Sequence, residues 1–167
     1  MVDHGEGNAQ AAATLMERAV DAVFQAGVKN AYTLPLLVWV ATAWRQQAEQ
    51  AHDFTPFARR ELLRRASAAA KLAIRESRVC ANDLPQALRE LGLILAMQGK
   101  ATRAKIALQR SLLAARKHYA RHQYAQTLLA ISKLGRELGW PNTRSQAAEA
   151  ELILAELERR DEGLDDQ

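Results

Sequence analysis

The chain has 167 residues, which is enough for one domain with a substantial core. Alanine is abundant, aromatic residues make up only 5%, and alternation of apolar and polar residues is scarce, so the composition predicts an all-α protein without strands. The formal net charge of +4 is modest for a nucleic-acid binder, so charge alone does not indicate that function.

Cysteine content and hydropathy indicate the cellular compartment in which the protein is expected. The single cysteine, Cys80, excludes an internal disulfide and fits a reducing environment. The first ten residues are polar and lack the apolar core of a signal peptide. The most apolar run, residues 34–40, is far shorter than the roughly 18 residues that a membrane span requires. We therefore expect a soluble, cytoplasmic protein that has no membrane partner.

The first two predicted helices follow a flexible lead-in at residues 1–7. One covers residues 8–26 and ends at Gly27, and the other covers residues 31–52 with Thr33 as its cap and Pro35 in its first turn. The side chains predicted to face the core are Ala12, Leu15, Ala19, Val23 and Phe24 in the first helix and Leu36, Leu37, Val40, Ala43 and Trp44 in the second.

A third helix is predicted to begin at Thr55-Pro56, which combines a capping residue with a first-turn proline. It continues to about Cys80. Its predicted buried side consists of Leu62, Leu63, Ala66, Ala69, Ala70, Ala73 and Val79. Four arginines lie near its start: Arg59, Arg60, Arg64 and Arg65.

Residues 83–119 form the central segment of the predicted fold. Their pattern predicts two amphipathic helices that fold back on each other at Gln98-Gly99-Lys100. Asp83 is a candidate N-cap, Pro85 suits a first turn, and Gly99 suits a left-handed helix end. The apolar positions are Leu84, Leu88, Leu91 and Leu95 in the first helix and Ala104, Ile106, Leu108, Leu112 and Leu113 in the second. Such a hairpin cannot bury both faces alone, so it predicts similar neighbours.

Two further helices, ending near Gly139 and covering residues 144–160, complete a predicted single domain of residues 8–160. A turn at residues 140–143 separates them, and an acidic tail at residues 161–167 follows. Their apolar stripes are Tyr124, Leu128, Ile131, Leu134 and Leu138, then Ala147, Ala150, Leu154 and Leu157.

An internal repeat links the central hairpin to the last one. Leu91-Gly92 recurs as Leu134-Gly135, 43 positions later, and the same shift takes Ala104 to Ala147. We expect each glycine to leave room for the alanine of the opposing helix, so that the two helices of each hairpin pack closely.

The central hairpin resembles a tetratricopeptide repeat. The matching positions are Leu91, Gly92, Gly99, Ala104 and Leu108. The usual tryptophan and tyrosine are replaced by Leu88 and Leu95, and the closing proline by Arg116. The resemblance implies stacked antiparallel hairpins, about seven helices in a right-handed superhelix. The segments LRELGLILAMQGKATRAK, SLLAAR and RELGWP are also similar to degenerate repeat regions of large bacterial signalling ATPases, kinases and cyclases.

The function implied by this resemblance is a non-enzymatic protein–protein interaction scaffold with a regulatory or signalling role. Its partner would bind in a concave groove lined by the first helix of each hairpin. The corresponding positions here are Gln86, Arg89, Glu90 and Leu93, then Ser132, Lys133 and Arg136. As a mostly polar and basic set, they suit an acidic peptide or carboxylate.

Two alternatives concern other partners. The basic segments from Arg59 to Arg65 and from Lys100 to Arg121 could bind nucleic acid, although no aromatic residues interleave with these charges. Self-association through the uncapped ends of the repeat array is the second alternative, because the terminal helices also carry apolar residues.

Catalytic and metal-binding patterns do not emerge from the sequence. Gly5-Glu6-Gly7 lacks the lysine of a phosphate-binding loop, and the serines lie within predicted helices rather than on a nucleophile elbow. His118 and His122, with Cys80, form a conceivable zinc set, but polar residues at a solvated turn are the favoured interpretation. We therefore predict no enzymatic activity, metal or cofactor.

Overall fold

A computed structural model describes residues 4–27, 33–50, 55–77 and 81–165. These residues form seven α-helices and no strand, so the predicted all-α class with seven helices is confirmed. The helices are α1 (His4–Gln25), α2 (Pro35–Gln50), α3 (Pro56–Glu76), α4 (Leu84–Met97), α5 (Ala101–Lys117), α6 (Arg121–Leu138) and α7 (Thr143–Asp165). None of them is both long and apolar enough to cross a membrane.

The boundaries differ from the sequence prediction mainly at the ends of the chain. Helix α1 begins at His4, inside the predicted lead-in, and α7 continues to Asp165, through most of the predicted acidic tail. Helix α3 ends at Glu76, earlier than predicted, and Val79 and Cys80 lie outside the described residues.

The helices pack as three hairpins, α2–α3, α4–α5 and α6–α7, with α1 against α2. Neighbouring hairpins touch through α3 with α4 and α5 with α6. Their first helices also meet in order, α2 against α4 and α4 against α6. The first helices therefore share one side of the row, and α4 occupies its centre.

Helix α3 begins as predicted. The Thr55 hydroxyl accepts a hydrogen bond of 3.2 Å from the backbone N–H of Ala58, and Pro56 occupies the first turn. Asp83 differs, because its side chain makes no capping hydrogen bond to α4. A 3-10 turn at Ala81–Asp83 gives Asp83 helical backbone angles, whereas a capping side chain needs an extended backbone.

The central corner forms as predicted. Gly99 has a φ of +74°, and the N–H of Lys100 donates to the Leu95 carbonyl over 2.9 Å, which satisfies a carbonyl at the end of α4. The end of α5 repeats this geometry without glycine. Tyr119 has a φ of +54°, and the Ala120 N–H donates to the Ala115 carbonyl over 2.9 Å.

We expect Tyr119→Gly to raise the free energy of unfolding by about 0.4–1 kcal/mol, because glycine adopts this backbone conformation without strain. The Tyr119 side chain is 91% exposed, so its removal sacrifices little packing. Urea denaturation measures the gain. Tyr119→Ala is the control, since it removes the ring but keeps the strain. If Tyr119→Ala raised the free energy of unfolding by the same amount, the gain would come from removal of the exposed ring and not from relief of backbone strain.

The core lies between the helices of each hairpin and between neighbouring hairpins. Most predicted inward positions are buried there: Leu37, Val40, Trp44, Leu62, Leu63, Ala66, Ala70, Ala73, Leu88, Ala104, Leu108, Tyr124, Leu128, Ile131 and Ala150. A larger apolar cluster surrounds α2 and α3, and a smaller one joins α5, α6 and α7.

Several predicted core residues are exposed instead: Leu15, Ala19, Ile106, Leu113 and Leu138. Helix α1 packs chiefly against α2, so a wide apolar stripe on it cannot be covered completely. Ile106 and Leu113 lie on the side of α5 that faces away from α4 and α6. Trp39 on α2 is also exposed, although tryptophan is usually largely buried.

The close approach predicted at Gly92 is confirmed. A Cβ atom there would lie 3.3 Å from the carbonyl oxygen of Ala104 and 2.7 Å from Cγ of Leu108. The equivalent prediction for Gly135 and Ala147 is wrong. A Cβ atom at Gly135 would collide with Thr143 and Trp140, because the short turn after α6 passes over this glycine.

Candidate functional site

Side chains on the shared side of the first helices bind one another. Arg45 on α2 donates from Nε to Oε2 of Glu90 on α4 over 2.6 Å, and these side chains are only 12% and 5% exposed. Arg45 also donates from Nη1 to Oε2 of Glu49 over 2.8 Å. Glu90, predicted as a partner-binding residue, therefore connects α2 to α4 inside the protein.

Comparable contacts extend to α6. Arg89 donates from Nη1 to Oε1 of Gln123 over 2.7 Å, and its burial lowers the pKa of its guanidinium below the ordinary value. The Nζ atom of Lys133 lies 3.8 Å from Oε1 of Glu49, which brings an α6 side chain to α2. Three of the residues predicted to line the groove, Arg89, Glu90 and Lys133, thus contact side chains of other first helices.

The predicted partner-binding residues differ in accessibility. Glu90 and Ser132 are buried, Gln86, Arg89 and Leu93 are half-buried, and Lys133 and Arg136 are exposed. Of this set, only Lys133 and Arg136 therefore present exposed cationic side chains, and Lys133 lies beside Glu49. Among the described residues no trio of His, Cys, Asp or Glu could hold a metal ion, and Cys80 lies outside them.

A basic pocket of about 650 Å³ lies between α3 and the α4–α5 corner. One face of α3 supplies most of its wall, and Met97 to Lys100 supply the rest. We call it the basic pocket; its lining residues are Arg59, Arg60, Leu63, Arg64, Ser67, Ala68, Lys71, Met97, Gln98 and Lys100. Five of these residues are cationic and none is acidic.

Hydrogen bonds to backbone carbonyls fix the walls of the basic pocket. Arg59 donates from Nε to the Ala48 carbonyl over 3.2 Å, which ties α3 to α2. Gln98 donates from Nε2 to the Leu63 carbonyl over 3.5 Å and accepts from Nζ of Lys100 over 2.8 Å. The left-handed turn at Gly99 therefore brings Lys100 to the mouth of the pocket.

The cations of the pocket are not equally available. Glu61 binds Arg64 through both carboxylate oxygens, over 2.6 and 2.7 Å, and this hydrogen bonding is the main reason that the pKa of Glu61 falls to about 2. Glu61 therefore stays ionised at neutral pH and offsets the charge of Arg64. Arg60 and Lys71 are exposed and have no ionic partner among the described residues.

The basic cluster opposes the dipole of its own helix. The first turn of α3 contains no acidic residue, and Arg59 and Arg60 follow it directly, near the positive end of the helix. This arrangement is unfavourable for α3 alone. Sites that violate a local stability rule are often functional sites, so the cluster is a candidate for binding an anion.

The floor of the basic pocket is apolar. Leu63 is buried, Met97 is half-buried, and Ala68 borders them. A cationic rim above an apolar floor suits a ligand that combines carboxylates or other anions with a small apolar group. The lining includes no aromatic side chain on which a nucleotide base could stack.

Both basic segments are visible in the sequence, but their proximity is not. About 40 positions separate Arg60 from Lys100, and no periodicity connects them. Packing of α3 against α4 brings the two segments together.

A comparison of the chain with protein-family models, curated proteins and solved structures gives no significant match.

Proposed function

We propose that this chain is a non-enzymatic helical interaction scaffold that binds an acidic segment of a protein partner in the basic pocket. The observation that supports this function best is the concentration of five cations, without an acid, around a pocket with an apolar floor. Arg60 and Lys71 would make the main ionic contacts, because no carboxylate in the described part of the chain pairs with them.

A protein ligand suits the pocket better than a nucleic acid does. Single-stranded nucleic acid is usually held by a cationic track together with aromatic platforms, and the lining lacks the latter. An acidic segment with an interspersed aliphatic residue would satisfy both the rim and the floor. The cations of α5 add to the positive electrostatic potential around the pocket. They would increase the association rate of any anionic ligand, so they do not distinguish a protein from a nucleic acid.

A scaffold that binds through the basic pocket has the role implied by the tetratricopeptide resemblance but uses a different binding surface. The groove positions Arg89 and Glu90 are engaged with Gln123 and Arg45, respectively. The basic pocket instead uses the second helix of one hairpin and the corner of the next. A regulatory or signalling role for the scaffold remains part of the proposal.

We expect the double reversal Arg60→Glu with Lys71→Glu to weaken binding of a fluorescein-labelled peptide of Asp, Glu and Leu at least about tenfold. The reversal places like charges against the peptide at the two most available cations. Fluorescence anisotropy at fixed ionic strength measures the affinity. The matched control, Lys133→Glu with Arg136→Glu, makes the same charge change on the shared side of the first helices and should alter affinity only slightly.

Two results would contradict this proposal. A larger loss in the Lys133 and Arg136 control would place the ligand on the groove side. Tighter binding of an oligonucleotide of equal charge, with a steep salt dependence that the Arg60 and Lys71 reversal abolishes, would assign the pocket to nucleic acid.

A further inference from the structure

Helix α5 carries an uncovered stripe that mixes cations with large apolar side chains. We call it the basic stripe of α5, and its members are Arg103, Ile106, Arg110, Leu113 and Lys117. Steps of three and four residues place all five on one narrow face of the helix. Ile106 and Leu113 are 52% and 65% exposed. The three cations have no ionic partner among the described residues.

Helix α7 carries a stripe of the opposite charge. We call it the acidic stripe of α7, and its members are Ala148, Glu151, Leu152, Ala155 and Glu158. All five side chains are exposed, because α7 packs chiefly on α6 through the opposite face of the helix. The large apolar side chain of Leu152 is 66% exposed.

The four acids of α7 whose side chains the structure describes divide into two pairs. Glu149 accepts a hydrogen bond from the Tyr124 hydroxyl over 3.0 Å, and Glu156 pairs with Arg121 over 2.5 Å, so both act within the α6–α7 hairpin. Glu151 and Glu158 have no partner among the described residues. Arg159 borders their stripe and donates from Nε to a carbonyl of its own helix.

We propose that two copies of this chain associate by docking the basic stripe of α5 in one copy onto the acidic stripe of α7 in the other. The two stripes match in spacing as well as charge. Arg103, Arg110 and Lys117 follow one another at seven-residue steps, and the acids that would face them, Glu151 and Glu158, also lie seven residues apart. Helices that cross at a shallow angle keep such seven-residue spacings aligned over successive turns.

Two-fold symmetry completes the arrangement. Because each chain has both stripes, a symmetric pair forms two equivalent contacts at once, α5 on the partner's α7 and α7 on the partner's α5. The association buries the exposed Ile106, Leu113 and Leu152 and sets the three cations of each basic stripe against the two acids of an acidic stripe. It uses a surface distinct from the basic pocket, so it does not depend on the function proposed above.

We expect sedimentation equilibrium of the full chain across the micromolar range to show a monomer–dimer equilibrium that shifts towards monomer as salt is raised, because salt screens exposed charge pairs. Two variants test the surface: Arg103→Glu with Arg110→Glu, and Glu151→Arg with Glu158→Arg. Each should raise the dimer dissociation constant at least about tenfold, because like charges then face each other.

Mixing the two variants supplies the decisive measurement. The acidic α5 of the first variant then meets the basic α7 of the second, and the reverse contact is complementary too, so a heterodimer of near wild-type affinity should form. Arg60→Glu with Lys71→Glu is the matched control, and it should leave self-association unchanged. The neutral variants Arg110→Gln and Glu158→Gln should give smaller losses with unaltered circular dichroism.

Four outcomes would overturn the proposal. The first is a monomer at every concentration tested. The second is a dimer that both reversals and the neutral variants leave intact. The third is a mixture of the reversed variants that stays monomeric although each is folded. A loss of dimer in the basic-pocket control would likewise reject the α5–α7 surface, because acidic segments would then be docking in the pocket.

Discussion

Replacing Glu90 with Ala is expected to lower the free energy of unfolding by about 2–3 kcal/mol, because it strips a buried arginine of its principal carboxylate. Arg45 and Glu90 are largely enclosed between α2 and α4, with side chains 12% and 5% exposed, so water solvates their charges poorly. The remaining partner of Arg45, Glu49, is half-exposed and compensates only part of the loss. Chemical denaturation measures the change.

Glu49→Ala is the matched control, since it removes the other carboxylate of the same arginine from a solvent-exposed position. We expect a loss of under about 0.5 kcal/mol there. The double variant Arg45→Met with Glu90→Leu should recover most of the stability, because it removes both buried charges together. Equal losses in Glu49→Ala and Glu90→Ala would contradict the importance of burial for this pair.

Gly92→Leu is expected to cost about 3 kcal/mol of stability, because it forces a large side chain between α4 and α5. Even the first added carbon would lie 2.7 Å from Cγ of Leu108, a side chain that is completely buried and cannot move aside freely. The two helices would have to separate. Thermal denaturation followed by circular dichroism should show a markedly lower midpoint.

Thr102→Leu controls for the added apolar volume, because Thr102 is exposed at the start of α5. It should leave the midpoint nearly unchanged, within the range of about 0.5 kcal/mol usual for surface substitutions. An unchanged midpoint in Gly92→Leu would show that the α4–α5 contact is looser than its geometry indicates.

The elements predicted best from sequence are those determined by local chemistry. Thr55 and Pro56 start a helix, and Gly99 ends one, because capping and left-handed backbone depend on a few adjacent residues. The inner positions of the central hairpin also follow from periodicity. Leu88 and Leu108 are buried, as a 3.6-residue repeat requires of the centre of an apolar face.

The margins of the apolar faces could not be predicted, because they depend on which neighbours cover them. Ile106 and Leu113 continue the stripe of α5 by spacing, yet α4 and α6 cover a different side. Glu90 shows the opposite case. Its partner Arg45 comes 45 positions earlier, and nothing in the sequence around Glu90 indicates that its carboxylate is buried.

The candidate site was predictable in its parts but not in its assembly. Arg60 and Lys100 belong to segments whose charge is evident from the sequence, whereas the pocket between them requires the packing of α3 beside the α4–α5 corner. The groove prediction used positions carried over from the tetratricopeptide repeat, which the central hairpin resembles in sequence. It could not include Arg89 binding Gln123, because that contact joins two hairpins.

The terminal helices should unfold locally before the central ones, because each terminal helix packs chiefly on one neighbour. Helix α4 is packed by α2, α3, α5 and α6, whereas α7 relies chiefly on α6 and α1 chiefly on α2. In such a row, opening of a terminal helix need not break the contacts at the centre. Backbone amides of α4 should therefore exchange with solvent only through global unfolding, while those of α1 and α7 exchange through local detachment at a lower free energy.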